Sequence, residues 1–425
     1  MKVLFISANT EQINMPVIPI GLGCVATATQ KAGHEIFFVD LMFESNPENR
    51  VRQVIAEFQP ECIGITVRNI DNQNIEAPRF LLDKVRSIIS ACRSVSGAPI
   101  VLGGAGYSIF PESALEYLKA DMGIKGEGES VFLDLLSQIE SKQGIKNTPG
   151  LYIRGHGFQP LKKVSNNLDN FPLPDPHLLF ASINENKDIW IPVQSRRGCP
   201  FMCSYCSTPS IEGTNLRKRS PENVANYLKE WVEAGYTNFY FVDNTFNLPP
   251  HYAKDLCNEI LKKELDIKWR CIIYSKFIDV ELVQLMAKSG CKQISLGFES
   301  GSGQVLKNLN KRFSREDIRT VSNMFADYGI EQTGFLLLGG PGEIQETVEE
   351  SLEFADSLKL DFLKITIGIR IYPETKLSEI AREQGIIKQE DDLLYPSFYL
   401  SPHLTKEWLS ERIVRFKTSR PNVLA

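Results

Sequence analysis

Arg196-Arg197-Gly198-Cys199-Pro200-Phe201-Met202-Cys203-Ser204-Tyr205-Cys206 sets three thiols in a CxxxCxxC array, directly after an apolar, strand-like run from Ile189 to Val193. Thiolates are the soft ligands that hold iron-sulfur clusters or zinc. A closed site of either kind takes four ligands, and no fourth cysteine or histidine lies nearby in the sequence. One metal corner is therefore left open, and the reading of the whole chain turns on what fills it.

Size and composition bound the possibilities. A chain of 425 residues exceeds one ordinary core and predicts two or three domains. With 43% hydrophobic and 23% charged residues it has the balance of a globular protein. The net charge of -5 argues against a nucleic-acid partner, because neutralising phosphates needs a basic surface. Met1 to Ser7 enters a strand with no charged-then-apolar leader, and no apolar run approaches the roughly 18 residues of a membrane span. Nine cysteines suit a reducing compartment, so the expected location is the cytoplasm.

Residues 1–150 alternate strand and helix. Strands are predicted at Lys2 to Ser7, Glu35 to Val39, Cys62 to Val67, Pro99 to Leu102 and Met122 to Ile124. Helices are predicted at Gly21 to Ala32, Glu48 to Phe58, Arg79 to Ser94, Glu112 to Leu118 and after Glu129. That alternation predicts an α/β, doubly wound parallel sheet, which binds ligands at the carboxyl ends of its strands where the strand order switches. The loops at those ends are Pro16 to Gly23, Arg68 to Pro78 and the glycine-rich segments at Gly103 and Gly126.

Residues 151–187 loosen; Pro172, Pro174 and Pro176 exclude regular structure around them, and the segment reads as a linker. Alternation resumes over 188–375. Strands are predicted before Cys199 and at 238–242, 268–273, 293–297, 332–338 and 362–369, with helices at 221–234, 251–264, 279–289, 314–328 and 345–358. This is too short a series for a full eight-unit barrel. By position, the strand ends offer Asp243, Glu299 with Ser300, Gly339 to Glu343, and Arg370 with Tyr372. Residues 376–425 form a short C-terminal tail expected to close the barrel, with helices at 377–384 and 405–416.

The cysteine array, with Tyr205 before its last cysteine, resembles the signature of the radical S-adenosylmethionine (SAM) enzymes. The resemblance implies a partial (β/α)6 barrel of the TIM type. It implies that Cys199, Cys203 and Cys206 hold a four-iron, four-sulfur (4Fe-4S) cluster whose open iron binds SAM. It also implies an electron donor such as flavodoxin or ferredoxin. Gly297-Phe298-Glu299-Ser300-Gly301 and Gly339 to Glu343 are similar to family segments that bind SAM. On that basis Tyr205, Asp243, Glu299, Ser300, Leu338 and Arg370 are its expected contacts.

Residues 1–150 resemble the Rossmann-like cobalamin-binding domain that precedes many radical SAM cores, through Pro19-Ile20-Gly21-Leu22, Lys31 to Glu35, Gly103-Gly104 and Gly126-Glu127-Gly128-Glu129. Pro19, Gly21, Thr66, Arg68, Gly103, Gly104, Gly126, Glu127 and Gly128 are the expected cobalamin contacts. The Asp-x-His-x-x-Gly motif that supplies a histidine to cobalt is missing, so the resemblance implies a lower cobalt face without that ligand. Together the two likenesses imply a cobalamin-dependent methyltransferase that works on an unactivated carbon through a 5′-deoxyadenosyl radical and methylcobalamin. The alternatives are a radical cyclase or rearrangement enzyme, a methylthiotransferase, and a non-catalytic cobalamin or redox sensor. Cys24, Cys62, Cys92, Cys257, Cys271 and Cys291 read as small buried hydrophobes.

Overall fold

The computed structural model describes residues 1–11, 18–142, 144–145, 148–158, 166–180 and 188–424. They fall into two compact units: Met1–Asn72, Pro78–Lys187 and Ser210–Glu212 form the first, and Gln73–Ala77, Asp188–Pro209 and Gly213–Ala425 the second.

The first unit runs β1 (Lys2–Ser7), α1 (Ile20–Lys31), β2 (Glu35–Asp40), α2 (Pro47–Phe58), β3 (Cys62–Thr66), α3 (Leu82–Val95), β4 (Ile100–Gly103), α4 (Ala105–Ile109), α5 (Pro111–Leu118), β5 (Met122–Ile124) and α6 (Glu129–Ser141). β1 and β3 are buried almost throughout, as parallel strands covered on both faces must be. α2 begins where Asn46 accepts a hydrogen bond from the Asn49 amide, with Pro47 pre-set for the first turn. The strands are ordered β2-β1-β3-β4-β5 and are mutually parallel, so the order reverses between β1 and β3. That reversal opens a crevice at their carboxyl ends.

The linker expectation for 151–187 is corrected over its first part. β6 (Leu151–Ile153) and β7 (Gly157–Phe158) continue the same sheet antiparallel, β6 against β5 and β7 against β6. Leu151 is fully buried, and an apolar residue of that kind joins a core rather than a tether. Farther on, the Asp175 amide donates to Thr27 Oγ1 of α1 at 2.8 Å and α7 (Pro176–Leu179) follows, so prolines that exclude long elements still pack. Residues 159–165 and 181–187 of the expected linker, and Pro16 and Val17 of the first loop, lie outside the described residues.

The second unit begins with β8 (Ile191–Val193), β9 (Arg196–Arg197), α8 (Thr208–Glu212, shared with the first unit) and β10 (Arg217–Lys218). It continues α9 (Pro221–Glu233), β11 (Asn238–Phe241), α10 (Pro250–Lys262), β12 (Lys268–Ile273), α11 (Val280–Lys288), β13 (Cys291–Glu299), α12 (Gly303–Asn308), α13 (Arg315–Asp327), β14 (Glu331–Leu338), α14 (Gln345–Asp356) and β15 (Phe362–Ile367). The chain ends with β16 (Ile369–Arg370), α15 (Lys376–Glu383), β17 (Phe398–Tyr399), α16 (Lys406–Thr418) and β18 (Val423–Leu424). β8, β11, β12, β13, β14 and β15 are parallel neighbours in sequence order, the partial barrel that the resemblance implied.

The tail adds to this unit. β18 pairs parallel with β15 at the edge of the sheet, and β17 pairs antiparallel with β16. Along β11, β12 and β14 burial alternates with period two. In β14, Gln332, Gly334, Leu336 and Leu338 are buried while Thr333, Phe335 and Leu337 are half-buried. Gln332 Nε2 donates to the Ser322 carbonyl of α13, which marks the fully buried face as the helix side and leaves the half-buried face to the barrel interior.

Candidate active site

β9 and β10 pair as a short antiparallel ribbon, so residues 198–216 leave and return at one place. The return is tight at Gly198, which has φ +88° and where a Cβ would lie 2.2 Å from the Asn215 carbonyl oxygen. Only glycine fits there. The Cys199 amide donates to the Gly213 carbonyl at 3.2 Å and the Cys206 amide to the Cys203 carbonyl at 3.1 Å. A second segment grips the loop from outside. The Ser204 amide donates to the Leu309 carbonyl, Asn310 Nδ2 donates to the Met202 carbonyl at 2.7 Å, and Phe201 stacks on Tyr274 at 3.8 Å.

The three thiols are half-buried and unpaired. Burial pushes the Cys199 thiol above its ordinary range, and the neighbouring Cys206 and Cys203 push it further, so the three sulfurs share one local field. Burial also raises Cys203, against the opposing pull of Lys311. Lys311 follows α12, with a side chain only 6% exposed. Its Nζ lies 3.1 Å from Glu299 Oε1 and 5.3 Å from the Tyr205 ring centroid. Burial alone would lower its pKa, but Glu299, Tyr205 and Cys203 outweigh burial and hold it well above the ordinary value. Glu299 ends β13 at φ +63°, beside a register irregularity. Such a conformation costs a non-glycine residue about 1–3 kcal/mol and persists where surroundings over-determine it.

Behind the cysteine loop lies a buried polar knot. Asp243, at the end of β11, accepts from the Ser195 amide at 2.8 Å, Ser195 Oγ at 2.6 Å and the Arg196 amide at 3.0 Å. Arg196 Nε lies 3.3 Å from Asp243 Oδ2, both side chains essentially without exposure. The Arg196 guanidinium also donates to the carbonyls of Phe246 and Leu248, and it lies over the rings of Phe246 and Tyr252. Burial raises the Asp243 carboxyl, opposed by Arg196 and these hydrogen bonds.

In the first unit, a cleft at the β1 and β3 ends is lined by Ala8, Asn9, Thr10, Glu11, Thr66, Arg68, Asn69, Leu81, Lys84 and Val85. Glu11 is buried and pairs with Arg79 Nη2 at 2.7 Å and Lys84 Nζ at 2.9 Å. Burial would raise its carboxyl, but the two cations hold it below the ordinary range. At the end of β4, Gly104 has φ +100°, and a Cβ there would lie 2.5 Å from Thr66 Oγ1 and 2.7 Å from the Val67 carbonyl oxygen.

Comparison with known proteins meets this geometry at both sites. The radical SAM superfamily model matches residues 193–355, and the B12 binding domain model matches residues 6–136. The chain combines a radical SAM domain with a B12 binding domain. An uncharacterized methyltransferase of Pyrococcus horikoshii is 26% identical over 444 residues, covering 100% of this chain and 94% of that protein. The tryptophan 2-C-methyltransferase of Streptomyces laurentii is 23% identical, covering 88% of this chain and 74% of its own. The fold of this enzyme matches the radical SAM methyltransferase TsrM from Kitasatospora setae, solved with cobalamin and a 4Fe-4S cluster bound, at a TM-score of 0.90 and 21% identity over 100% of this chain and 92% of that one.

Both cofactors of a cobalamin-binding radical SAM enzyme fit the residues present. Three thiols outside any disulfide in one loop suit a cluster donor set. Among the described residues no three ligating side chains converge on a single-ion geometry, and a cluster asks for a wider spacing, since each thiolate binds its own iron. Among the described residues the buried hydroxyl of Ser204 has no hydrogen-bond partner. At the first-unit crevice, Ser7 Oγ and Asn9 Nδ2 are buried without partners among the described residues at the end of β1, where a polar ligand edge would satisfy them.

The expected SAM contacts divide. Tyr205 and Glu299 gather with Lys311 beside Cys203. Asp243 does not join them, because every acceptor direction described for it serves Ser195 and Arg196. Ser300 is buried with its Oγ 3.0 Å from Ser351 Oγ and accepting from the Ser302 amide, which anchors α12 and α14. Leu338 lies on the helix side, and alternation hands the barrel interior to Leu337. Arg370 donates to the carbonyls of Ile371 at 2.5 Å and Leu393 at 2.7 Å, so its fork engages the tail. Of the expected cobalamin contacts, Thr66 and Arg68 line the cleft. Pro19 caps α1, Gly103 and Gly104 end β4, and Gly126, Glu127 and Gly128 join β5 to α6, all on the carboxyl edge but outside that lining. Sequence reasoning missed Asn9, Glu11, Lys84, Tyr274, Asn310 and Lys311; only Lys311-Arg312, basic and close after Glu299, offered a signal.

Proposed function

We propose that this radical SAM enzyme is a cobalamin-dependent methyltransferase that acts on an unactivated carbon of a small-molecule or peptide substrate. The observation that carries the reading is a full-length likeness to a methyltransferase, with the cysteine loop and the switch-point crevice on one chain. When bound, the cluster supplies an electron for cleaving SAM to a 5′-deoxyadenosyl radical, and cobalamin supplies the methyl group.

The chain's own residues bind and position. Cys199, Cys203 and Cys206 would hold the cluster, and Asp243 with Arg196 fixes the backbone that enters their loop. Asn310 and Tyr274 brace the loop from the other side. Glu299 and Tyr205 present an acceptor and an aromatic face beside Cys203 for SAM, while Thr66, Arg68 and the Gly104 turn would receive cobalamin. Nine free cysteines favour a reducing cytoplasm, and a low-potential donor such as flavodoxin or ferredoxin would supply the electron.

Anaerobic reconstitution tests the reading, with iron counted, cobalamin titrated by visible absorption, and products analysed. About four irons per chain, stoichiometric cobalamin, and release of both 5′-deoxyadenosine and S-adenosylhomocysteine are expected. Cobalamin-free protein with a full cluster would overturn the methylcobalamin route, deoxyadenosine without S-adenosylhomocysteine would favour cyclisation or rearrangement, and a second cluster would reopen the methylthiotransferase reading.

A further inference from the structure

Lys311 is a lysine in an unusual place. Lysines ordinarily lay their stems along apolar surface and return the ammonium to water. Here the turn after α12 prevents that. The Lys311 amide donates to the Leu306 carbonyl, the Arg312 amide donates to Tyr274 Oη at 2.8 Å, and Asn310 holds Met202. The stem is confined beside the rings of Tyr205 and Phe313, 5.3 and 5.8 Å from Nζ. The ammonium ends on Glu299 and over the ring of Tyr205, which stands between Cys203 and Cys206 in the chain, while Leu309 and Asn310 hold the backbone of Ser204 and Met202 on either side of Cys203. One carboxylate balances one buried cation, so the pair by itself is neutral and the nearby thiols decide its use.

Three thiolates on a cluster make the site net negative, and reduction by one electron adds a further negative charge. In a water-poor site that step is opposed unless a fixed positive charge stands close by. We infer that Lys311 is a positioning residue for the cluster's charge: its buried ammonium, held against the cysteine loop over Tyr205, makes a cluster on Cys199, Cys203 and Cys206 easier to reduce, and Glu299 sets how much of that charge the cluster feels. The inference rests on the cluster reading above and goes beyond it by assigning a role to a residue outside the cysteine motif.

The test is a dithionite redox titration of reconstituted protein without SAM, read by electron paramagnetic resonance, with iron counted for each variant. At about 6 Å and an effective dielectric of about 20, one unit charge is worth about a hundredfold in the reduction equilibrium. Water drawn to the charges left without Lys311 screens part of this. Lys311→Met is therefore expected to lower the equilibrium constant about tenfold, a midpoint about 59 mV more negative for one electron. Lys311→Arg keeps the charge and the midpoint. Glu299→Gln leaves the cation uncompensated and shifts the midpoint the opposite way, a sign reversal that a merely structural role would not produce. The inference is overturned if Lys311→Met holds full iron at the wild-type midpoint, or if Glu299→Gln shifts in the same direction as Lys311→Met. Should Lys311→Met fail to load, the Glu299→Gln shift decides, and its absence is refutation. Wild-type protein that binds no iron would instead sink the cluster reading itself.

Discussion

Asp243→Asn separates an architectural aspartate from a ligand contact. The substitution keeps the shape and one acceptor oxygen but removes the charge opposite Arg196, whose side chain is 1% exposed with its Nε 3.3 Å from Asp243 Oδ2. Breaking one partner of a buried pair leaves the other charge uncompensated and costs about 3–5 kcal/mol. Weakening of the hydrogen bonds from Ser195 and Arg196 belongs to the same loss, since the groups act as one network. We expect a loss of about 3 kcal/mol for the second unit alone. All four tryptophans, Trp190, Trp231, Trp269 and Trp408, belong to that unit, and Trp231 and Trp269 are fully buried. Denaturant unfolding followed by tryptophan fluorescence therefore reports on it selectively. Arg196→Met combined with Asp243→Asn should lose less than the sum of the two single changes. An Asp243→Asn protein with the wild-type midpoint and weakened SAM binding would refute the reasoning and return Asp243 to the ligand.

Two further changes probe other positions. Burial pushes the Glu343 carboxyl from 4.5 up to about 7, although it accepts from the amides of Gly339 and Gly340. Between those pH values the folded state holds a proton that the unfolded chain has released, so stability should fall as pH rises through the window, by about 3 kcal/mol in all. Glu343→Gln should flatten that slope in the same fluorescence assay, and an unchanged slope would discard the idea. Gly104→Ala places a Cβ against Thr66 Oγ1 and the Val67 carbonyl at φ +100°, so it should destabilise the first unit by about 2 kcal/mol and reduce retained cobalamin. Gly103→Ala meets nothing within 4 Å and should do neither, as thermal melting and visible absorption would show.

Much of this protein was legible in its sequence because it is written in local periodicities. Helical spacing and apolar runs located the longer helices and strands of both units, and the cysteine array announced a soft-metal site. Short elements that open on glycine escaped: α4 follows Gly103-Gly104 and α12 begins at Gly303, where turn-formers hide a helix start. β13 runs to Glu299 rather than stopping at Gly297, since an irregular register is set by β14 and not by its own residues.

At the sites the division is sharper. Cys199, Cys203, Cys206 and the switch-point loops follow from sequence alone, because ligand chemistry and strand order are local or topological properties. Which strand-end residue faces a ligand does not, because it depends on side-chain direction and on who else is present. Asp243, Ser300 and Arg370 are polar residues at the expected ends, and tertiary partners claimed all three for the framework. Leu338 lost to its neighbour by one step of the pleat. Lys311, an unremarked basic residue in sequence, became part of the site only when the turn after α12 folded over the cysteine loop and denied its ammonium access to water. The sequence by itself determined the donor atoms and the order of the strands; the tertiary structure decided which charges are buried together, since burial is a property of the assembled chain.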